Sequence, residues 1–110
     1  MAYFFCKLNP PRPNFMQSLT PAEMSLMQQH GAYWKTFFDK GTAILFGPVA
    51  DPKGEFGVAI VEANAESDVR SITEADPVIK SNTGFQFEIL FMPRAVVRPH
   101  VAAAGAQARQ

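Results

Sequence analysis

Cysteine is almost absent from this chain: Cys6 stands alone among 110 residues. One thiol closes no intrachain disulfide, so the fold must rest on its core, and such a composition suits a reducing cytoplasm. Charge of one sign is also lacking, because ten Lys and Arg balance ten Asp and Glu. That balance removes the basic stripe with which nucleic-acid binders neutralise phosphates. It equally removes a device that keeps copies of a protein apart. No apolar run approaches the roughly 20 residues that cross a bilayer. The segment Met1–Lys7 has no basic start, and its apolar run is too short for a signal core. Histidine is scarce, and His30 and His100 show no metal-ligand spacing. Gly54-Glu55-Phe56-Gly57 has neither of the glycine spacings that cradle phosphates. No metal, organic cofactor, nucleic acid or membrane is therefore expected as a partner.

What the chain has is phenylalanine, ten of them, in patterns that alternate with turn chemistry. Tyr3–Leu8 reads as a strand stopped by Asn9-Pro10-Pro11. A stiff, proline-rich connection follows through Met16, long for so small a domain. Thr20-Pro21-Ala22-Glu23 is a capping box with proline at the first helical position. It predicts a helix over Pro21–Lys40, ended by Gly41. Met27, Trp34 and Phe37 or Phe38 share its inward face. Ala43–Val49 and Glu55–Ala63 read as strands joined by the turn Asp51-Pro52-Lys53-Gly54. Asn64 is the expected N-cap of a second helix, Ala65–Ala75, limited by Pro77. A short turn over Pro77–Ser81 and a last strand, Phe85–Met92, complete the order β-α-β-β-α-β. That order is the split βαβ, or ferredoxin-like, α+β fold, with both helices on one face of a four-stranded antiparallel sheet. Residues 1–95 form the expected domain, and 96–110 an expected tail, frayed or ordered only against a partner.

The strands also predict assembly. A sheet covered on one face should alternate apolar and polar residues. The first strand instead carries Tyr3 and Phe5 on one side and Phe4, Cys6 and Leu8 on the other. The third carries Phe56, Val58 and Ile60 against Gly57, Ala59 and Val61. These are the two central strands, so both faces of the sheet centre are apolar. A two-fold homodimer packed through sheet faces is the economical cover; folding the tail over the sheet is the alternative.

Two residues stand out chemically. His30 follows Met27 by three positions and precedes Trp34 by four, which puts its imidazole on or beside the buried helix face. It is either a hydrogen-bonded core histidine or a general acid/base lining a pocket. Asp76 precedes Pro77 and suits an N-cap; its carboxylate also suits orienting an imidazole, and the two roles are compatible. Phe46-Gly47-Pro48 is a pocket wall or a strand terminator. Tyr33 and Trp34 line a site through their polar tips or belong to the core. Cys6 sits mid-strand with no nearby base and is a poor nucleophile candidate.

Taken together, His30-Gly31-Ala32-Tyr33-Trp34, Gly41, Phe46-Gly47-Pro48-Val49, Asp51, Gly54, Ala75-Asp76-Pro77 and Gly84 resemble the YciI-like family, also called the YCII-related domain. The resemblance covers about residues 2 to 93, with Leu8–Pro13 marking a subgroup with a longer first connection. Gly31 and Val78 depart from the family's usual residues. The resemblance implies a ferredoxin-like fold, a dimeric α+β barrel and an active site on a His–Asp pair, His30 and Asp76 here. It includes a dehydrochlorinase of a chlorinated hydroxyhydroquinone.

The leading expectation is a cofactor-free isomerase, lyase or dehydrohalogenase. It would move a proton on a cyclic or aromatic small molecule, with His30 and Asp76 in a pocket lined by Tyr33, Trp34, Phe46, Gly47 and Pro48. The alternative is a non-catalytic ligand-binding or regulatory dimer. A cofactor-free monooxygenase rests on superfold analogy alone.

Overall fold

The structure, a computed structural model, describes residues 1–99. His100 and most of the expected tail lie outside the described residues. The elements are β1 (Ala2–Asn9), a 3-10 turn at Phe15–Gln17, α1 (Pro21–Asp39), β2 (Ala43–Val49), β3 (Phe56–Ala63), α2 (Glu66–Glu74), α3 (Pro77–Lys80) and β4 (Gln86–Met92). The strands form one antiparallel sheet in the order β2-β3-β1-β4. This is the ferredoxin-like α+β arrangement.

Local chemistry accounts for α1. The Thr20 hydroxyl accepts from the Glu23 N–H at 3.1 Å, and the Glu23 carboxylate accepts from the Thr20 N–H at 3.0 Å. Two N–H groups that the helix cannot satisfy are thereby paired. At the other end Lys40 is the C-cap and Gly41 takes φ +87°, a conformation cheap only for glycine. Trp34 and Phe37 pack into the core, whereas Phe38 is exposed and meets Phe46 at its rim.

The start of α2 differs from expectation. Ala65, not Asn64, occupies the cap position, and no side chain bonds there. Asn64 lies one residue too far upstream to serve as the cap. Val69 and Thr73 are the buried residues of α2.

β1 and β3 pair in register from Ala2 opposite Ala63 to Leu8 opposite Gly57. The side chains of Phe4, Cys6, Ala59, Val61 and Ala63 join Trp34 and Val69 in the core beneath the helices. The opposite face carries Phe5, Val58 and Ile60, all half-buried, with Leu45 and Leu90 about half exposed at 47% and 53%. A second core, Leu8, Phe15, Val78 and Phe85, lies under the proline-rich connection. Pro11 packs so closely on Gly84 that a Cβ there would sit 3.1 Å from the proline Cβ, and Gly84 has φ +106°. Both facts require glycine at that crossing.

Candidate active site

α1 and α3 meet, and the meeting places His30 against Asp76. Asp76 is the N-cap of α3, with Pro77 next to it in the first helical position. Its Oδ1 accepts from the Val78 N–H at 2.9 Å. Its Oδ2 lies 2.8 Å from His30 Nδ1 and accepts from Trp34 Nε1 at 2.6 Å. One carboxylate therefore caps a helix with one oxygen and engages two rings of α1 with the other.

Asp76 is fully buried. A carboxylate taken out of water is costly unless donors surround it. The Val78 N–H, the Trp34 indole N–H and the His30 ring surround it here. Where that carboxylate is ionised it only accepts, and the ring nitrogen facing it is then the one that carries the proton. His30 then holds its Nδ1–H toward Asp76, and Nε2 is the nitrogen left for the cavity that His30 lines.

That cavity measures about 480 Å³. Its walls are mostly apolar: Trp34 from α1, Phe46 and Phe87 from the sheet and Phe85 just before β4, with Phe15 and Met16 from the connection. Gly47 and Pro48 of β2 also line it. Of the residues singled out from sequence, His30, Trp34, Phe46, Gly47 and Pro48 thus share one space. Tyr33 does not line it. Its hydroxyl donates to the Ile72 carbonyl at 2.6 Å, tying α1 to α2. Burial, and secondarily the Asp76 charge, push the Tyr33 phenol above its ordinary pKa.

Sequence reasoning missed two features. Trp34 holds Asp76 as well as lining the cavity, and its place four residues after His30 on one helix face is the signal that both rings reach one acceptor. The other is Arg12. Its guanidinium grips Glu23 with two bonds of 2.7 and 2.9 Å and Ser18 with two more, pinning the proline-rich connection to the start of α1. The Arg12 bonds, then the Thr20 N–H, hold the Glu23 carboxyl down at about 2. Glu55 fastens the same connection elsewhere, accepting from the Met16 N–H at 3.1 Å and from the Gln17 amide. The connection is thus a roof held at two points over the cavity.

Cys6 is buried in the core, and desolvation pushes its thiol up to about 12. Among the described residues, no three His, Cys, Asp or Glu side chains gather where they would hold a metal. No helix among them is long and apolar enough to cross a membrane.

The fold and this arrangement define a class: a ferredoxin-like α+β domain with a histidine and a buried carboxylate at the wall of an apolar cavity. The chain belongs to the YCII-related domain family, whose model matches residues 3–93. No curated protein sequence matches it. Among solved structures it is similar to 5-chloro-2-hydroxyhydroquinone dehydrochlorinase from Burkholderia phenoliruptrix AC1100, in complex with 2,5-dihydroxybenzoquinone. That similarity has a TM-score of 0.52 at 22% identity and covers 77% of this chain and 90% of the other. At that identity the likeness establishes the shared fold.

Proposed function

We propose that this protein is a cofactor-free enzyme that moves a proton on a small cyclic or aromatic substrate, with His30 as the base and Asp76 as the residue that positions it. The observation that carries this reading is the 2.8 Å contact of His30 Nδ1 with Asp76 Oδ2 in the wall of an apolar cavity. Nε2 takes a proton from a carbon or hydroxyl of the bound ring. The electron pair of the broken bond becomes a new C=C or C=O bond. In an elimination, a halide on the ring leaves with its own bonding pair, and the sum is loss of HX. In an isomerisation, the imidazolium returns the proton to another carbon. Asp76 stays ionised and stabilises the imidazolium between the two steps. Apolar walls keep the pair's interaction strong by excluding water. Membership of a family that includes a dehydrochlorinase-like fold supports elimination as the first reaction to test.

The working unit in this proposal is a homodimer packed through the open sheet face, in the cytoplasm, where a lone free thiol such as Cys6 is at home. Phe5, Ile60, Leu45 and Leu90 supply the apolar surface for that contact.

The test is chloride release from chlorinated hydroquinones, beginning with 5-chloro-2-hydroxyhydroquinone, for wild type and His30→Gln. The expected result is release by wild type and its loss, by about a hundredfold or more, in a folded variant. Equal release by both removes His30 as the base. A second reading is favoured by one observation, that Asp76 also caps α3 and bonds Trp34. Under it the pair is a structural join in a ligand-binding module. His30→Gln would then lower the melting temperature and leave ligand binding unchanged, with no turnover in either form.

A further inference from the structure

Met27, His30, Gly31 and Trp34 all line the cavity. Their spacing of three, four and seven residues is one stripe of α1, so the side of Gly31 that a Cβ would occupy faces the same space as the His30 ring. A Cβ built at Gly31 meets nothing within 4 Å. Glycine in a helix interior is normally explained by a close neighbour or a positive φ. Gly31 has neither, and its helix would be more stable with alanine there. What glycine provides at this position is empty volume next to the histidine.

Charge gives a second constraint. Among the described residues, the ionisable side chains lining the cavity are His30 and Glu55, with no Lys or Arg beside them. Arg12, on the roof, is bound to Glu23. Lys7 belongs to the open sheet face, its ammonium 4.6 Å from the Phe56 ring centroid. Behind His30 lies Asp76. The ionisable groups of the site are therefore an imidazole backed by Asp76 and the Glu55 carboxylate, which accepts from the Met16 N–H and the Gln17 amide, in walls that are otherwise apolar. Such a site offers no Lys or Arg among its described lining residues to offset the desolvation of an anionic substrate. Size gives the third. An apolar cavity of about 150 Å³ suffices for benzene, and this one measures about 480 Å³.

We propose that the cavity takes an uncharged substrate larger than a single ring, and that Gly31 is the specificity residue that makes room for it beside His30. This deepens the reading of the cavity as the substrate site and rests on it. The second ring or substituent lies across α1 at Gly31, while the group that gives up its proton faces Nε2. Carboxylated analogues of the same shape are rejected by Glu55 and by the absence of a counter-cation.

Trp34 is the chain's one tryptophan, so its indole N–H gives a single NMR resonance that reports on the cavity wall. The probes are 2-naphthol, phenol and 2-naphthoate, titrated into wild type, Gly31→Ala and Gly31→Leu. In wild type, 2-naphthol shifts the Trp34 resonance saturably, and 2-naphthoate binds about tenfold more weakly or worse. Gly31→Leu loses about tenfold or more of its 2-naphthol affinity and keeps that for phenol. Gly31→Ala melts a few degrees higher and shows a smaller loss, so it carries the comparison if the leucine variant does not fold. Undiminished 2-naphthol binding by the Gly31 variants overturns the role of Gly31 and leaves the cavity reading standing. Equal affinity for 2-naphthoate overturns the preference for uncharged substrates. If none of the probes moves the Trp34 resonance of wild type, the cavity reading and this inference fall together.

Discussion

Trp34 donates its indole N–H to Asp76 at 2.6 Å, onto the same oxygen that His30 faces at 2.8 Å. Two rings one helical turn apart on α1 are thereby locked to the N-cap residue of a different helix. Such a join fixes the imidazole plane without help from a ligand, and it makes Asp76 a point where stability and the proposed chemistry coincide.

Substitution at this join separates the contributions. Trp34→Phe removes one donor to a buried carboxylate and keeps most of the ring. It should cost about 2 kcal/mol, since hydrogen bonds to charged groups are worth about 1.5–3 kcal/mol. Asp76→Asn offers one acceptor oxygen where three donors converge and places an amide N–H₂ among them. It should cost at least as much and also lower turnover, because the imidazolium loses its counter-charge. Urea unfolding followed by circular dichroism measures both. An Asp76→Asn protein as stable as wild type would show that the carboxylate is not holding α1 to α3.

Acid should loosen the roof. Arg12 and the Thr20 N–H hold the Glu23 carboxyl at about 2, below its ordinary value of 4.5. A carboxyl depressed on folding adds stability that is complete above the unfolded value and is lost as pH falls through the folded one. The contribution from Glu23 is therefore present above about pH 4.5 and fades toward pH 2. Glu23→Gln cannot titrate there. The melting temperature of wild type should fall more steeply than that of Glu23→Gln between pH 4.5 and 2, and parallel curves would contradict the pairing.

The open sheet face predicts assembly. Ile60 stands near the middle of β3, opposite Phe5 and beside Leu45 on that face. Ile60→Glu puts a charge there, where a homodimer would have to bury it at a cost of several kcal/mol. Sedimentation equilibrium should give wild type a mass about twice the 12.1 kDa of one chain and the variant a mass of one chain. A wild type at one chain's mass in dilute solution would remove the dimer.

Much of this fold is legible from local sequence. The capping box at Thr20, the glycines at 41 and 54, and the doubly apolar strands at 3–8 and 56–61 each encode their structure within a few residues. The start of α2 is not legible that way. Asn64 has the better capping chemistry, yet Ala65 takes the cap position with no side-chain bond. The site is legible in halves. Asp-Pro marks a cap and the Met27-to-Trp34 spacing marks an inward stripe, yet only the packing of α1 on α3 brings residues 30 and 76 together. The resemblance to a family, not any periodicity, implied that pair. Tyr33 shows the limit most plainly. It neighbours Trp34 in sequence but sits a hundred degrees around the helix, so its hydroxyl reaches Ile72 rather than the cavity.

In the proposed reaction His30 moves a proton between a bound ring and solvent. The direct measurement is incorporation of deuterium from D₂O into the ring carbons of hydroxyhydroquinone, followed by NMR, with wild type, with His30→Gln and without protein. Exchange should be accelerated by wild type alone, with His30→Gln at the uncatalysed rate. Acceleration by folded His30→Gln equal to that of wild type would contradict it.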